Sequence, residues 1–75
     1  MNKEQRKEIS DIISQIELLK ERVETIRDAE QEKFDNLNEG LQQTERGQQF
    51  ETNVSNLDDV ISNLDSAFDS LGEMQ

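Results

Sequence analysis

Carboxylates are the only reactive side chains that this sequence carries in number. Its 75 residues include 18 Asp and Glu against 8 Lys and Arg, and no His, Cys, Tyr, Trp or Pro. Without imidazole or thiol there is no zinc site of the Cys/His kind, no thiol redox centre, and no Ser-His-Asp or Cys-His nucleophile. Paired carboxylates do acid–base work only where a pocket positions them, and no spacing here ties a pair to a pocket. Binding or architecture is therefore expected, without enzymatic activity, metal or cofactor.

Two groups of residues remain that can recognise something. Asp58 and Asp65 stand one heptad apart, about 10 Å along a helix, and Asp69 lies about 6 Å further on. The plain reading is a solvated face; the functional one is a carboxylate ladder that docks on a basic partner or imitates a phosphate backbone. The second group surrounds Arg46, the only cation after Lys33. It stands where a second helix should begin, and free N–H groups at such an end attract anions. A local ion pair with Asp35, Glu39 or Glu45 is the plain expectation, and contact with an anionic ligand the sharper one. Phe34 and Phe50 flank the same segment, as a core lid or, where open, as stacking surfaces for a planar ligand. Asn36, Gln42 and Gln43 offer hydrogen bonds to such a ligand, and Arg27 a second anion contact.

These residues must be held by two helices. Ile9, Ile12, Ile16, Leu19, Val23 and Ile26 step by three and four, which aligns them along one stripe. Ile13 and Ala29 widen it. Asn2 with Gln5 three residues later is a capping-box signature, and a helix is expected over about 3–34. Glu17 with Lys20, Glu24 with Arg27 and Glu30 with Lys33 are expected as i,i+3 pairs along it. Phe50, Val54, Leu57, Ile61, Leu64, Phe68 and Leu71 repeat the heptad pattern without a break, giving a second helix over about 45–72. Within it Ser55-Asn56-Leu57-Asp58 recurs as Ser62-Asn63-Leu64-Asp65. Between residues 53 and 70, however, 11 of 18 positions are Asn, Asp or Ser, which compete for the backbone, so this helix depends on packing and should fray first.

The connection, about 35–44, holds Gly40 and breaks the heptad. Thr44 is the expected N-cap of the second helix, and Leu37 and Leu41 suggest a short packed turn. The expected fold is all-α: one domain, a two-helix antiparallel hairpin about 40 Å long. Its stripes are too wide for two helices to cover, so the hairpins should assemble into a homo-oligomeric bundle, with a dimer the simplest closed form. The two apolar stripes together would form the oligomer core.

The net charge of −10 disfavours direct binding to nucleic acid or to an anionic membrane. It is divided unevenly. Residues 1–34 hold 7 basic and 9 acidic groups, and residues 35–75 hold 1 basic and 9 acidic. No apolar run exceeds two residues, so neither signal peptide nor membrane span is expected, and the chain reads as cytoplasmic. Two motifs fail. Asp69-Ser70-Leu71 matches the phosphopantetheine-attachment tripeptide of acyl carrier proteins, but that serine opens an internal helix and only four residues follow Leu71. Asp35 to Arg46 has the length of a calcium loop, yet Leu37 and Arg46 occupy ligand positions.

The segment from Glu30 to Gln42, with its Phe34-Asp35-Asn36-Leu37 and Glu39-Gly40-Leu41-Gln42 runs, followed by Thr44-Glu45-Arg46-Gly47-Gln48, resembles a family of small, mostly uncharacterised helical proteins of bacteriophages and prophages. The resemblance spans about residues 6–71. Where this chain has Asn38 the family commonly has proline, and serine where it has Thr44. The resemblance implies a phage accessory protein acting in the host cytoplasm, of a kind that often antagonises host defence. Three functions follow as expectations. The first is an oligomer that sequesters a small nucleotide-derived signal in inter-subunit pockets near the connection. The second is an acidic inhibitor or nucleic-acid mimic that blocks a basic host protein. The third is a structural coiled-coil adaptor.

Overall fold

The first helix begins with a reciprocal cap. Asn2 Oδ1 accepts the Gln5 N–H at 2.8 Å, and Gln5 Oε1 accepts the Asn2 N–H at 3.2 Å. With two of the free N–H groups of a helix start thus satisfied, α1 runs Lys3–Asp35. Asn36 closes it by donating its N–H to Glu32 O at 3.0 Å. The computed structural model describes all residues 1–75 and contains two further helices, α2 (Glu39–Gln42) and α3 (Glu45–Gly72). The single turn α2 lies within the expected connection, and Asn38 caps it by accepting the Leu41 N–H at 2.9 Å. Thr44 caps α3 by accepting the Gly47 N–H.

Gly47 fixes how α3 enters. It is buried, and a Cβ there would lie 2.7 Å from the carbonyl oxygen of Leu41 and closer still to that of Gln42. The backbones of α2 and α3 therefore meet where only glycine fits, with no unusual backbone angle involved.

α3 packs antiparallel along α1 in a rod of 58 × 15 × 12 Å. The direction is explicit in the cross-links, because Lys20 pairs with Asp65, Arg27 with Asp58, and Glu30 with Asn53. On α3 the residues turned toward α1 are the expected stripe, Phe50, Val54, Leu57, Ile61, Leu64, Phe68 and Leu71, all half-buried.

On α1 the expected stripe divides. Ile9, Ile16 and Val23 lie in the seam, but the seam continues through Ile13, Lys20, Arg27, Glu30 and Phe34, stepping by four and three. Ile12, Leu19 and Ile26 are rotated out, 37%, 44% and 55% exposed. The apolar band is wide enough to offer α3 two edges, and α3 covers the one on which Lys20 and Arg27 meet aspartates. The pairs Glu17–Lys20 and Glu24–Arg27 give way to these cross-helix bonds, and of the three expected i,i+3 pairs Glu30–Lys33 forms, at 2.9 Å.

Little is fully enclosed. Ile9 is the one apolar side chain that the hairpin buries. No helix is long and apolar enough to cross a membrane.

Candidate functional site

Three polar bridges cross the seam, the first two one heptad apart and the third about one turn further along α1. Lys20 Nζ lies 2.6 Å from Asp65 Oδ1. One heptad along α1, Arg27 Nη1 donates to Asp58 Oδ1 at 3.0 Å, while its Nε and Nη2 hold Asp28 Oδ1 at 3.1 and 2.9 Å. Nearest the connection, Asn53 Nδ2 donates to Glu30 Oε2 at 3.1 Å, and Lys33 Nζ donates to the other oxygen, Glu30 Oε1. The bonds from Asp58 and then Asp28 raise the guanidinium pKa of Arg27 above its ordinary value. The hydrogen bond to Asp65 likewise raises that of Lys20, against an opposing effect of burial. Lys33 first and Asn53 second lower the carboxyl pKa of Glu30, because each donates to its charged form.

The bridges join residues that sequence reasoning had assigned to different sites. Arg27, expected near an anionic ligand, is held by two carboxylates. Asp58 and Asp65, expected on an outward ladder, each accept a cation from α1. The exposed Asp69 side chain has no hydrogen bond or ion pair, and is the member of that trio left free to meet another molecule.

At the connection the six ligand candidates separate by role. Gln42 is occupied, since its Nε2 donates to Phe34 O at 3.3 Å and Leu37 O at 3.1 Å. It shares the Phe34 carbonyl with the Leu37 N–H, satisfies that of Leu37, and ties α2 back to the end of α1. Phe34 and Phe50 are half-buried. Phe34 lines an open groove with Gln31, Glu51, Val54, Ser55 and Asp58, whose two carboxylates make it acidic. Arg46 forms none of the local ion pairs expected of it. Its guanidinium carbon stands 5.8 Å from the Phe50 ring centroid, a cation–π contact on an exposed side chain. Gln43, three residues before it, and Asn36, at the end of α1, are exposed. Arg46, Asn36 and Gln43 are thus presented outward at this end, and Arg27 lies more than two turns of α1 back from it.

Lys20, Glu30 and Asn53 are the bridging residues that were not read from the sequence as an interface. A signal existed: Lys20 and Arg27 are spaced by seven, as are Asp58 and Asp65, which is the register needed for two bridges between antiparallel helices. No three acidic residues converge to hold a metal ion.

Set against known protein families, curated proteins and solved structures, the chain matches none.

Proposed function

We propose that this chain is a non-enzymatic binding module that works as a homo-oligomeric helical bundle and captures a small anionic, nucleotide-type ligand in inter-subunit pockets near the helix connection. What carries the oligomer is the state of the core: one buried apolar side chain in 75 residues, with Ile12, Leu19, Ile26 and Val60 left in water. A hairpin covers only one side of each helix, and bundling covers another.

Arg46 supports the choice of ligand. It is a cation free of any carboxylate partner, held over Phe50 at the end of the connection that also exposes Asn36 and Gln43. Its guanidinium offers planar donors to a phosphate. Phage origin and an anti-defence role, which the sequence resemblance implies, fit such a sponge. Calorimetric titration with cyclic dinucleotides and ADP-ribose tests the reading. Binding that Arg46→Ala abolishes supports it, and absence of heat with every nucleotide rejects it.

The acidic-inhibitor reading draws less from the geometry. Lys20 and Arg27 already occupy two of its three carboxylates, so a basic partner would have to compete with intrachain bridges.

A further inference from the structure

The uncovered edge of α1 has a definite composition. Ile12, Leu19 and Ile26 follow one another at seven-residue steps along the outside of the seam, and Val60 of α3, 42% exposed, stands on the same side. Ile26 faces an open groove that it shares with Glu30, Asn53, Asn56 and Leu57, which places α3's flank against this edge. The opposite flank of the rod carries the ion-paired Lys20 and Arg27 with Asp58 and Asp65.

We infer that this face is the docking surface for a second copy of the chain, laid antiparallel across it to form a four-helix bundle. Area supports it. A folded monomer of 8.7 kDa exposes about 4,700 Å², whereas this chain exposes 5766 Å². The surplus of about 1,000 Å² matches what one partner contributes to a standard stable interface, about 800 Å².

Charge selects the face. Two chains of net −10 repel, so they can approach only where acid is scarce. Helical spacing puts Gln15, Arg22 and Ala29 beside Ile12, Leu19 and Ile26, and Asn56 and Asn63 beside Val60. Glu8 and Glu30 are the acids among these neighbours; Arg22 balances the first, and Lys33 with Asn53 already holds the second.

Symmetry fits as well. In a two-fold contact a patch must complement itself. With the axis through Leu19, the equal spacing brings Leu19 to Leu19, and Ile12 of one copy to Ile26 of the other.

This inference rests on the oligomeric reading above, and a cysteine-free chain allows the two to be tested separately. Sedimentation equilibrium at micromolar concentration should give the native chain a mass of at least twice 8.7 kDa. Leu19→Asp and Ile26→Asp should each sediment as monomers while circular dichroism shows their helices retained. Leu19→Cys should form a disulfide-linked dimer on mild oxidation. Glu17→Cys, beside Lys20 and Asp65 on the opposite flank, should not. A monomeric native chain, including one whose face awaits a different protein, overturns both the oligomer and this interface. A native oligomer that survives both aspartate substitutions, or that cross-links through Glu17→Cys and not Leu19→Cys, overturns this interface alone.

Discussion

Lys20 Nζ and Asp65 Oδ1 meet at 2.6 Å across the seam between α1 and α3, in a position that the heptad would assign to an apolar residue. Arg27 and Asp58 repeat the relationship one heptad away. Exposed ion pairs add little net stability, so their main effect is on choice. α1 offers two apolar edges, and only one has cations that meet the aspartates of α3. A buried or half-buried polar contact of this kind specifies register at some cost in stability.

Charge exchange isolates that effect. Lys20→Glu places a carboxylate against Asp65 and should lower the melting temperature by a few degrees, a loss that shrinks in high salt. Combining it with Asp65→Lys should recover most of the loss, which a double-mutant cycle by thermal denaturation would measure. A double variant no more stable than Lys20→Glu would show that the pair does not act across the seam.

The same bridges set the pH dependence. Glu30 titrates below its ordinary 4.5, so the stability it contributes is present above that value and is lost as pH falls through the lowered one. Lys20 titrates above its ordinary 10.5, so its contribution is full below that value and is lost as pH rises through the raised one. Both operate together between 4.5 and 10.5. Glu30→Gln should therefore be less stable than the native chain near neutrality, and the difference should close in strong acid. Melting curves of the two proteins across the acid range check it; a constant difference would remove Glu30 from the account.

The two long helices differ in what holds them. α1 has a capping box and a surface of good helix formers, while α3 has an Asn-, Asp- and Ser-rich surface and depends on its stripe. Amide hydrogen exchange should be fastest in α3 beyond Leu64 and slowest in α1 around Val23. As separate peptides, residues 3–35 should be clearly helical by circular dichroism and residues 45–72 nearly unstructured. Equal helicity would mean that side-chain competition for the backbone is unimportant here.

These comparisons also show what could be read from the sequence. The α3 stripe was legible because its heptad runs unbroken from Phe50 to Leu71, with only Val60 and Ala67 beside it, so one face dominates. The Asn2 and Thr44 caps were legible because capping is local. The α1 edge was not, since Ile9, Ile12, Ile13, Ile16 and Leu19 form a band that admits two packings, and the choice between them is made by aspartates far along the chain on another helix. Arg46 escaped for a different reason. Its acidic neighbours in sequence suggested an ion pair, but the helical turn brings Phe50, four residues on, beneath its guanidinium instead. Gln42 looked like a ligand contact and proves to be a tie between α2 and α1, a role set by how the connection folds back.

Two glycines of this connected region separate space from flexibility. Gly47 has an ordinary helical backbone, so alanine would suit its conformation, yet the added Cβ would collide with the carbonyls of Leu41 and Gln42. Backbone atoms cannot turn aside as a side chain can, so α2 and the start of α3 would have to separate. Gly47→Ala should cost roughly 1–3 kcal/mol, the usual range for overpacking a tight contact. At Gly40 a Cβ would meet only Asn38 Oδ1, at 3.5 Å, an ordinary contact. Gly40→Ala should be neutral or stabilising by roughly 0.4–1 kcal/mol, because alanine restricts the unfolded chain and favours the helix. Chemical denaturation of both variants decides the matter. A Gly47→Ala protein as stable as the native chain would mean that α2 does not pack against α3 this closely, and the tie that Gln42 makes between α2 and α1 would lose its place in the fold.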